Sequence, residues 1–164
     1  MKRTLIAAAL AFSPVLALPG PPAFAQNASG CAATETMRGG RNNYIANAPA
    51  VENLGTGFVV SGTVREAGTC APLANVRVQI WTATERGGER EPTNRGSVMT
   101  DAQGNFRLET SPIVPQFGQA HIHVAFDDPG YETLFLRPVL QSRNDTSIVV
   151  DFNLAPTGGD APKS

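Results

Sequence analysis

The sequence lacks the signatures of several common chemistries. It has no glycine-rich phosphate loop, no G-x-S-x-G elbow and no H-E-x-x-H. Phosphate-loop nucleotide binding, serine hydrolysis of the elbow type and zincin chemistry therefore find no support. Formal net charge is only −1 and the arginines are dispersed, with no basic stripe interleaved with aromatics. This excludes nucleic acid as an expected partner, and the want of a long run of one charge argues equally against a polyanion or polycation. No segment reads as an amphipathic helix of any length. Cysteine and histidine are each present only twice, as Cys31 and Cys70 and as His121 and His123.

The N-terminus supplies a compartment. Met1, Lys2 and Arg3 are followed by an apolar run from Leu5 to Leu18, and Ala23-Phe24-Ala25 has the small-x-small pattern of a signal-peptidase site. Residues 1–25 are expected to be a signal peptide, with export of Gln26 to Ser164 to the periplasm as the favoured destination. A membrane anchor fails on length, because Pro14, Pro19, Pro21 and Pro22 interrupt or end the run. No other stretch is suited to cross a bilayer, so stable membrane insertion is not expected. In an oxidising compartment an even pair of cysteines is most simply a disulfide, here Cys31–Cys70, stapling the N-terminal segment to the first hairpin.

Residues 26–55 are polar and glycine-rich, reading as a coil that wraps the domain, with a turn of helix near Ala33 to Met37. Residues 56–155 read as the sandwich domain. Phe58, Val60, Gly62 and Val64 alternate with Val59, Ser61, Thr63 and Arg65, and Val76, Val78 and Ile80 alternate with Arg77, Gln79 and Trp81, giving two strands. Thr84 to Ser97 is a long excursion dense in both charges, of a kind that is functional or a solvated surface loop. Val98 to Thr100 and Asn105 to Glu109 form a hairpin across a turn that Asp101 caps. Leu134 to Leu140 and Ser147 to Leu154 are further extended segments, and Asp127 and Asp128 are turn residues. Residues 156–164 have the composition of a disordered tail. Seven or eight short strands joined by Gly/Pro/Asp turns indicate an all-β two-sheet sandwich or open barrel, whose exposed edge offers a route to a homodimer.

Within the segment Ala120-His121-Ile122-His123, the period of two puts both imidazoles on one strand face and Ala120, Ile122, Val124 and Phe126 on the other. A shared face makes the pair a metal grip or a pair of polar strand residues facing solvent. Trp81, sharing a face with Arg77 and Gln79, is expected in a pocket wall or second core.

The order of segments resembles a known family. Gly62-Thr63-Val64-Arg65, Ala71 through Trp81, Arg95-Gly96, Thr100 through Phe106 and Ala120 through His123 are similar to the catalytic domain of the intradiol ring-cleavage dioxygenases, over about Tyr44 to Val139. The resemblance implies an immunoglobulin-like β-sandwich, and relatives that bind non-haem iron(III) through two tyrosines and two histidines and split catechols between the hydroxyl-bearing carbons. His121 and His123 match the family's histidine pair. The tyrosines do not match: one family position falls on or next to Glu89, and the other lies in Ser111 to Phe117, which has no tyrosine.

Loss of two phenolates changes charge, redox potential and ligand field together. Two imidazoles with one carboxylate suit iron(II), copper, zinc or manganese, so one metal ion is expected, iron first and copper second. Glu89 is the nearest carboxylate, with Glu85 and Glu91 behind it; the competing role for Glu89 is an ion pair with Arg86 or Arg90. Tyr44 is the alternative that would complete the shell, donate a proton or anchor the wrapping segment. Arg137 lies near where the family carries a polar residue that orients dioxygen or substrate, suited to an anionic small-molecule substrate. Arg95 is expected to brace its loop by a salt bridge. Two functions follow: an exported non-haem metal-dependent oxidoreductase acting on a small aromatic or oxygenated substrate, or a non-catalytic binding or structural sandwich whose metal site is vestigial or without turnover.

Overall fold

A computed structural model describes residues 31–158. The expected signal peptide, the first five residues of the wrapping segment and the last six of the tail lie outside the described residues. Eight short strands form two facing sheets: β1 (Phe58–Glu66), β2 (Arg77–Thr82), β3 (Arg95–Met99), β4 (Asn105–Thr110), β5 (Ile122–Phe126), β6 (Leu134–Leu136), β7 (Ser147–Val149) and β8 (Phe152–Leu154). One sheet has β1 at its centre, antiparallel to β4 and parallel to both β7 and β8. The other runs β3-β2-β5-β6, antiparallel throughout.

Period-2 patterning explains the core between them. Phe58, Val60 and Val64 of β1 and Phe106 and Leu108 of β4 point inward and meet Val78 and Ile80 of β2 and Ile122, Val124 and Phe126 of β5. Each such side chain removed from water contributes about 1.5–3 kcal/mol. Gly62 stands where β1 must admit a neighbouring backbone, since a Cβ there would fall 2.0 Å from the Val150 carbonyl oxygen.

The second sheet is buried on both faces of β2. Gln79 and Trp81 are as buried as Val78 and Ile80, because residues 31–55 lie across the outer face. There Trp81, Ala125 and Phe135 form a second apolar cluster, completed by Tyr44 from the wrapping segment. The segment is pinned by backbone bonds from Thr34 to Asn153 and from Met37 to Phe135. Its start is held by the Cys31–Cys70 disulfide, with Cα atoms 5.3 Å apart. Trp81 is thus the second-core residue expected of it.

Several local expectations are corrected. No helical turn forms at Ala33 to Met37; the chain is irregular there and begins to turn at Arg38. The excursion is shorter and better ordered than its composition suggested, because β3 already begins at Arg95 and a 3-10 turn occupies Pro92–Asn94. Buried Asn94 substitutes for a strand ladder, accepting from the Thr84 hydroxyl and donating to the carbonyls of Gly87 and Gly88. The extended stretch from Leu134 is cut at Leu136, with Pro138, which has no donor, just beyond it. Ser147 to Leu154 is broken at Val150 and Asp151, which bond to Ser61 and Thr63 of β1. Chain order extends past residue 155: Pro156 bridges Tyr131, and the Thr157 N–H donates to the Gly130 carbonyl.

Candidate metal centre

β5 and its N-terminal approach carry the two histidines on the outer face of the second sheet. His123 is the register partner of Trp81 on β2, and the two rings stack with centroids 4.9 Å apart and planes 6° from parallel. His121 precedes the strand and is paired with Val139 by an isolated bridge. The imidazole centroids lie 5.0 Å apart. Neither ring faces solvent: His121, His123 and Glu89 are 3%, 0% and 3% exposed. The reading of the pair as polar strand residues facing solvent is therefore ruled out.

Glu89 reaches the pair from the excursion. One carboxylate oxygen, Oε1, is 2.8 Å from His121 Nε2, and the other, Oε2, is 3.4 Å from His123 Nε2. The three ligand atoms all lie within 4.8 Å of one another. The expected competitors for Glu89 are occupied elsewhere. Arg86 donates to the carbonyls of Leu54 and Thr93, and Arg90 donates to the Asn43 side chain. Glu85 and Glu91 are exposed and outside the cluster.

Backbone carbonyls fix the orientation of both rings. His121 Nδ1 is 2.7 Å from the Gln119 carbonyl oxygen and His123 Nδ1 is 2.9 Å from that of Gly40. A carbonyl accepts only, so each Nδ1 carries the proton, and in a neutral ring the lone pair stands on Nε2. Burial is the main force holding His123 below its ordinary pKa of 6.5, helped by the charges of His121 and Arg137 against the opposing pull of the Gly40 carbonyl and Glu89. Nε2 lone pairs thus face carboxylate oxygens, acceptor against acceptor, and both Glu89 Oε1 and His123 Nε2 lack a hydrogen-bond donor. A proton on His121 Nε2 relieves only the shorter contact. A cation shared by the three atoms relieves all of them.

The donor set fits a divalent metal ion. Two neutral imidazoles and one carboxylate give one negative charge, and ligands at about 2.0–2.2 Å around a tetrahedral ion stand about 3.4 Å apart, the scale of this cluster. Metal-bound histidines almost always donate the second ring N–H to a carbonyl, carboxylate or water, as both do here. Glu89, His121 and His123 would hold the ion, which would supply a Lewis-acid centre with open coordination positions.

The sequence did not reveal the residues that support this cluster. Asn43, in the left-handed region at φ 57°, donates from Nδ2 to Glu89 Oε2 at 2.6 Å. The Gln116 side chain accepts the Glu89 N–H at 3.0 Å. Among the described residues Arg95 forms no salt bridge, contrary to expectation. Its buried guanidinium clamps the Glu89 carbonyl at 2.6 Å and the Asn43 carbonyl at 3.3 Å, binding excursion to wrapping segment. Asn42-Asn43 beside Tyr44 was the only signal available for Asn43, and a main-chain acceptor such as Gly40 leaves none.

The remaining candidates separate. Arg137 lines the cleft over the cluster, its Nη2 3.3 Å from His121 Nδ1. Tyr44 is not in the cluster. Its ring packs edge-on against Phe135 at 4.9 Å, and its hydroxyl donates to Asp127. Asp127 and Asp128 both pair with Arg77, at 3.0 and 2.9 Å. Burial, then the Asp128 charge, raises the Asp127 carboxyl above its ordinary range. Asp101 caps its turn as expected, accepting from the N–H groups of Gln103 and Asn105. The cleft measures about 420 Å³ and also meets Asn42, Asn43, Arg90 and Phe117.

No protein-family model matches the sequence, and no curated protein matches it. Solved structures do. The dioxygenase domain of a dioxygenase and carbohydrate-binding fusion from Streptomyces sp. SirexAA-E superposes with a TM-score of 0.59 at 22% identity, over 77% of this chain and 99% of that one. The 3-chlorocatechol 1,2-dioxygenase of Rhodococcus opacus 1CP gives 0.59 at 19% identity, over 79% and 74%. Hydroxyquinol 1,2-dioxygenase of Pseudomonas putida DLL-E4 gives 0.57 at 19%, over 77% and 68%. The two tyrosines of the sequence are Tyr44 and Tyr131, and the latter bonds to Glu66 away from the cleft. The chain therefore has the intradiol-dioxygenase-like fold, built around a buried His–His–Glu cluster that contains no tyrosine.

Proposed function

We propose that this protein is an exported metal-binding β-sandwich that holds one divalent transition-metal ion through Glu89, His121 and His123 without cleaving catechol rings. The observation that carries it is the confrontation of imidazole lone pairs with a buried carboxylate that has no arginine or lysine partner among the described residues. Such a group is costly to bury unless a cation joins it. Iron(II) is the first candidate and copper(II) the second, since two imidazoles and a carboxylate suit both. Ring cleavage is disfavoured on electronic grounds, because no phenolate is present to stabilise iron(III). Asn43, Gln116 and Arg95 hold Glu89, the Gly40 and Gln119 carbonyls hold the rings, and the packed wrapping segment excludes water from the rear of the cluster.

One observation favours a second use of the site, as a metal-dependent oxidoreductase. The cleft over the cluster is large enough for a small molecule and presents Arg137 to it. The test is elemental analysis of protein purified from its exporting host, for wild type and for the double variant H121A/H123A, alongside oxygen-uptake assays with catechol. Near-stoichiometric metal in the wild type alone, with no oxygen uptake, is the expected result. Equal absence of metal in both proteins after reconstitution at neutral pH refutes the metal site, and catechol-dependent oxygen uptake refutes its lack of turnover.

A further inference from the structure

The cleft above the cluster has an unbalanced charge. Two guanidinium groups line it, those of Arg90 and Arg137, and Glu89 is its only carboxylate. Glu89 is already committed to the two histidines and Asn43. Among the described residues no carboxylate pairs with either arginine. Arg90 uses Nε on the Asn43 side chain. The Arg137 guanidinium has a single acceptor, the Phe117 carbonyl, at 3.4 Å from Nη2. The same Nη2 is pressed to 3.3 Å from His121 Nδ1, whose proton is already given to Gln119. That contact sets donor against donor and offers Arg137 no bond. The rest of its fork has no hydrogen-bond acceptor among the described residues.

Phe117, across the mouth, is 80% exposed and held at φ 52°, a conformation that a bulky side chain adopts only under constraint. Its ring and the two arginines form a rim over the His–His–Glu cluster. A divalent ion there would raise the positive charge of the cleft further, with three protein ligands and open positions facing the arginines.

We infer that the centre takes a small planar oxoanion, a carboxylate or carbonate, together with its metal, one oxygen completing the coordination and the other accepting from Arg137. Arg137 is the residue that fits this task because its guanidinium is a permanent positive charge whose N–H groups are donors only, suited to the oxygen that the metal leaves free. Arg90 adds charge at the rim. The inference rests on the proposed metal site. Its consequence is coupling: each ligand tightens the other by the same factor.

The experiment uses the full purified protein and the fluorescence of Trp81, the sole tryptophan, whose stacking on His123 places it beside any copper(II) bound there. Copper(II) is titrated in sodium acetate, in bicarbonate and in sodium chloride at equal ionic strength and pH. Wild type is expected to bind copper at least tenfold more tightly in acetate or bicarbonate than in chloride, once affinities are corrected for the copper that each anion complexes in solution. R137Q loses that ratio, R137K keeps part of it, and R90Q reduces it. If R137Q does not fold, as judged by circular dichroism, the R137K ratio decides. Acetate selectivity without bicarbonate selectivity assigns the site to carboxylates, and the reverse assigns it to carbonate. Equal copper affinity in all three salts overturns the anion site and leaves the metal site standing, as does an acetate gain undiminished in R137Q. Absence of copper binding in every salt refutes the metal site itself.

Discussion

Replacing Asn43 with glycine isolates the support that the wrapping segment gives to the metal centre. Asn43 donates to Glu89 Oε2 at 2.6 Å, a bond to a carboxylate, for which typical net values are about 1.5–3 kcal/mol. Losing an outer partner of a ligand costs roughly 10–100-fold in metal affinity, about 1.4–2.7 kcal/mol at 1.36 kcal/mol per decade, so two independent routes give the same range. Glycine is the informative substitution because Asn43 sits at φ 57°. Alanine would add about 1–2 kcal/mol of left-handed strain and confuse the result, whereas glycine accepts the angle freely. The Asn43 carbonyl, which Arg95 grips, survives in glycine. Copper(II) titration followed by Trp81 fluorescence, with thermal unfolding as a control, reads the effect. N43G is expected to fold and to bind 10–100-fold more weakly. Affinity within twofold of wild type in a folded N43G refutes the claim that Asn43 positions Glu89.

Three further outcomes follow from the geometry. A Cβ at Gly40 would lie 2.5 Å from the Phe135 carbonyl oxygen, so G40A must shift the backbone that holds His123; a loss of about 1–3 kcal/mol in denaturant unfolding and weaker metal binding are expected, and wild-type values for both would refute the contact. Because burial lowers the folded-state pKa of His123 below 6.5, its neutral ring stabilises the metal-free fold fully above that pH, and this contribution is lost as pH falls through the folded value. Unfolding midpoints of metal-free protein should therefore decline on acidification below about 6.5, less so in H123N; parallel profiles would refute it. Removing the Cys31–Cys70 bridge, which spans a separation of 39, should cost about 4 kcal/mol on the chain-entropy estimate, measured by unfolding C31S/C70S against wild type; equal stability would show that the backbone bonds at Thr34 and Met37 suffice.

Alternation alone was enough to place Phe58, Val60, Val64, Val78, Ile80, Phe106 and Leu108 in the core, because side chains on a strand can only point two ways. The same rule put His121 and His123 on one face, and the spacing of turns required a sandwich or barrel. Local pattern failed where a distant segment intervened. The face of Gln79 and Trp81 read as a pocket wall or second core, but its cover was not named: it is buried because residues 31–55 cross it, a docking that no period in β2 records. The break at Leu136 was available from Pro138, whereas the break at Val150 depends on its bond to Ser61 on another strand.

By itself the sequence determined the alternating strands, the paired imidazoles, the cysteine pair and the lack of a tyrosine in Ser111 to Phe117, since these depend on residue identity and short-range geometry. Only the tertiary structure decided that Glu89 and not Tyr44 joins the histidines, that Arg86 and Arg90 leave its carboxylate unpaired, and that Asn43, Gly40 and Arg95 hold the site together. Those contacts link residues as far apart as 83 positions in the chain. They exist because the wrapping segment and the excursion fold onto the same sheet face, and a buried carboxylate takes as partners whatever groups that packing brings within reach.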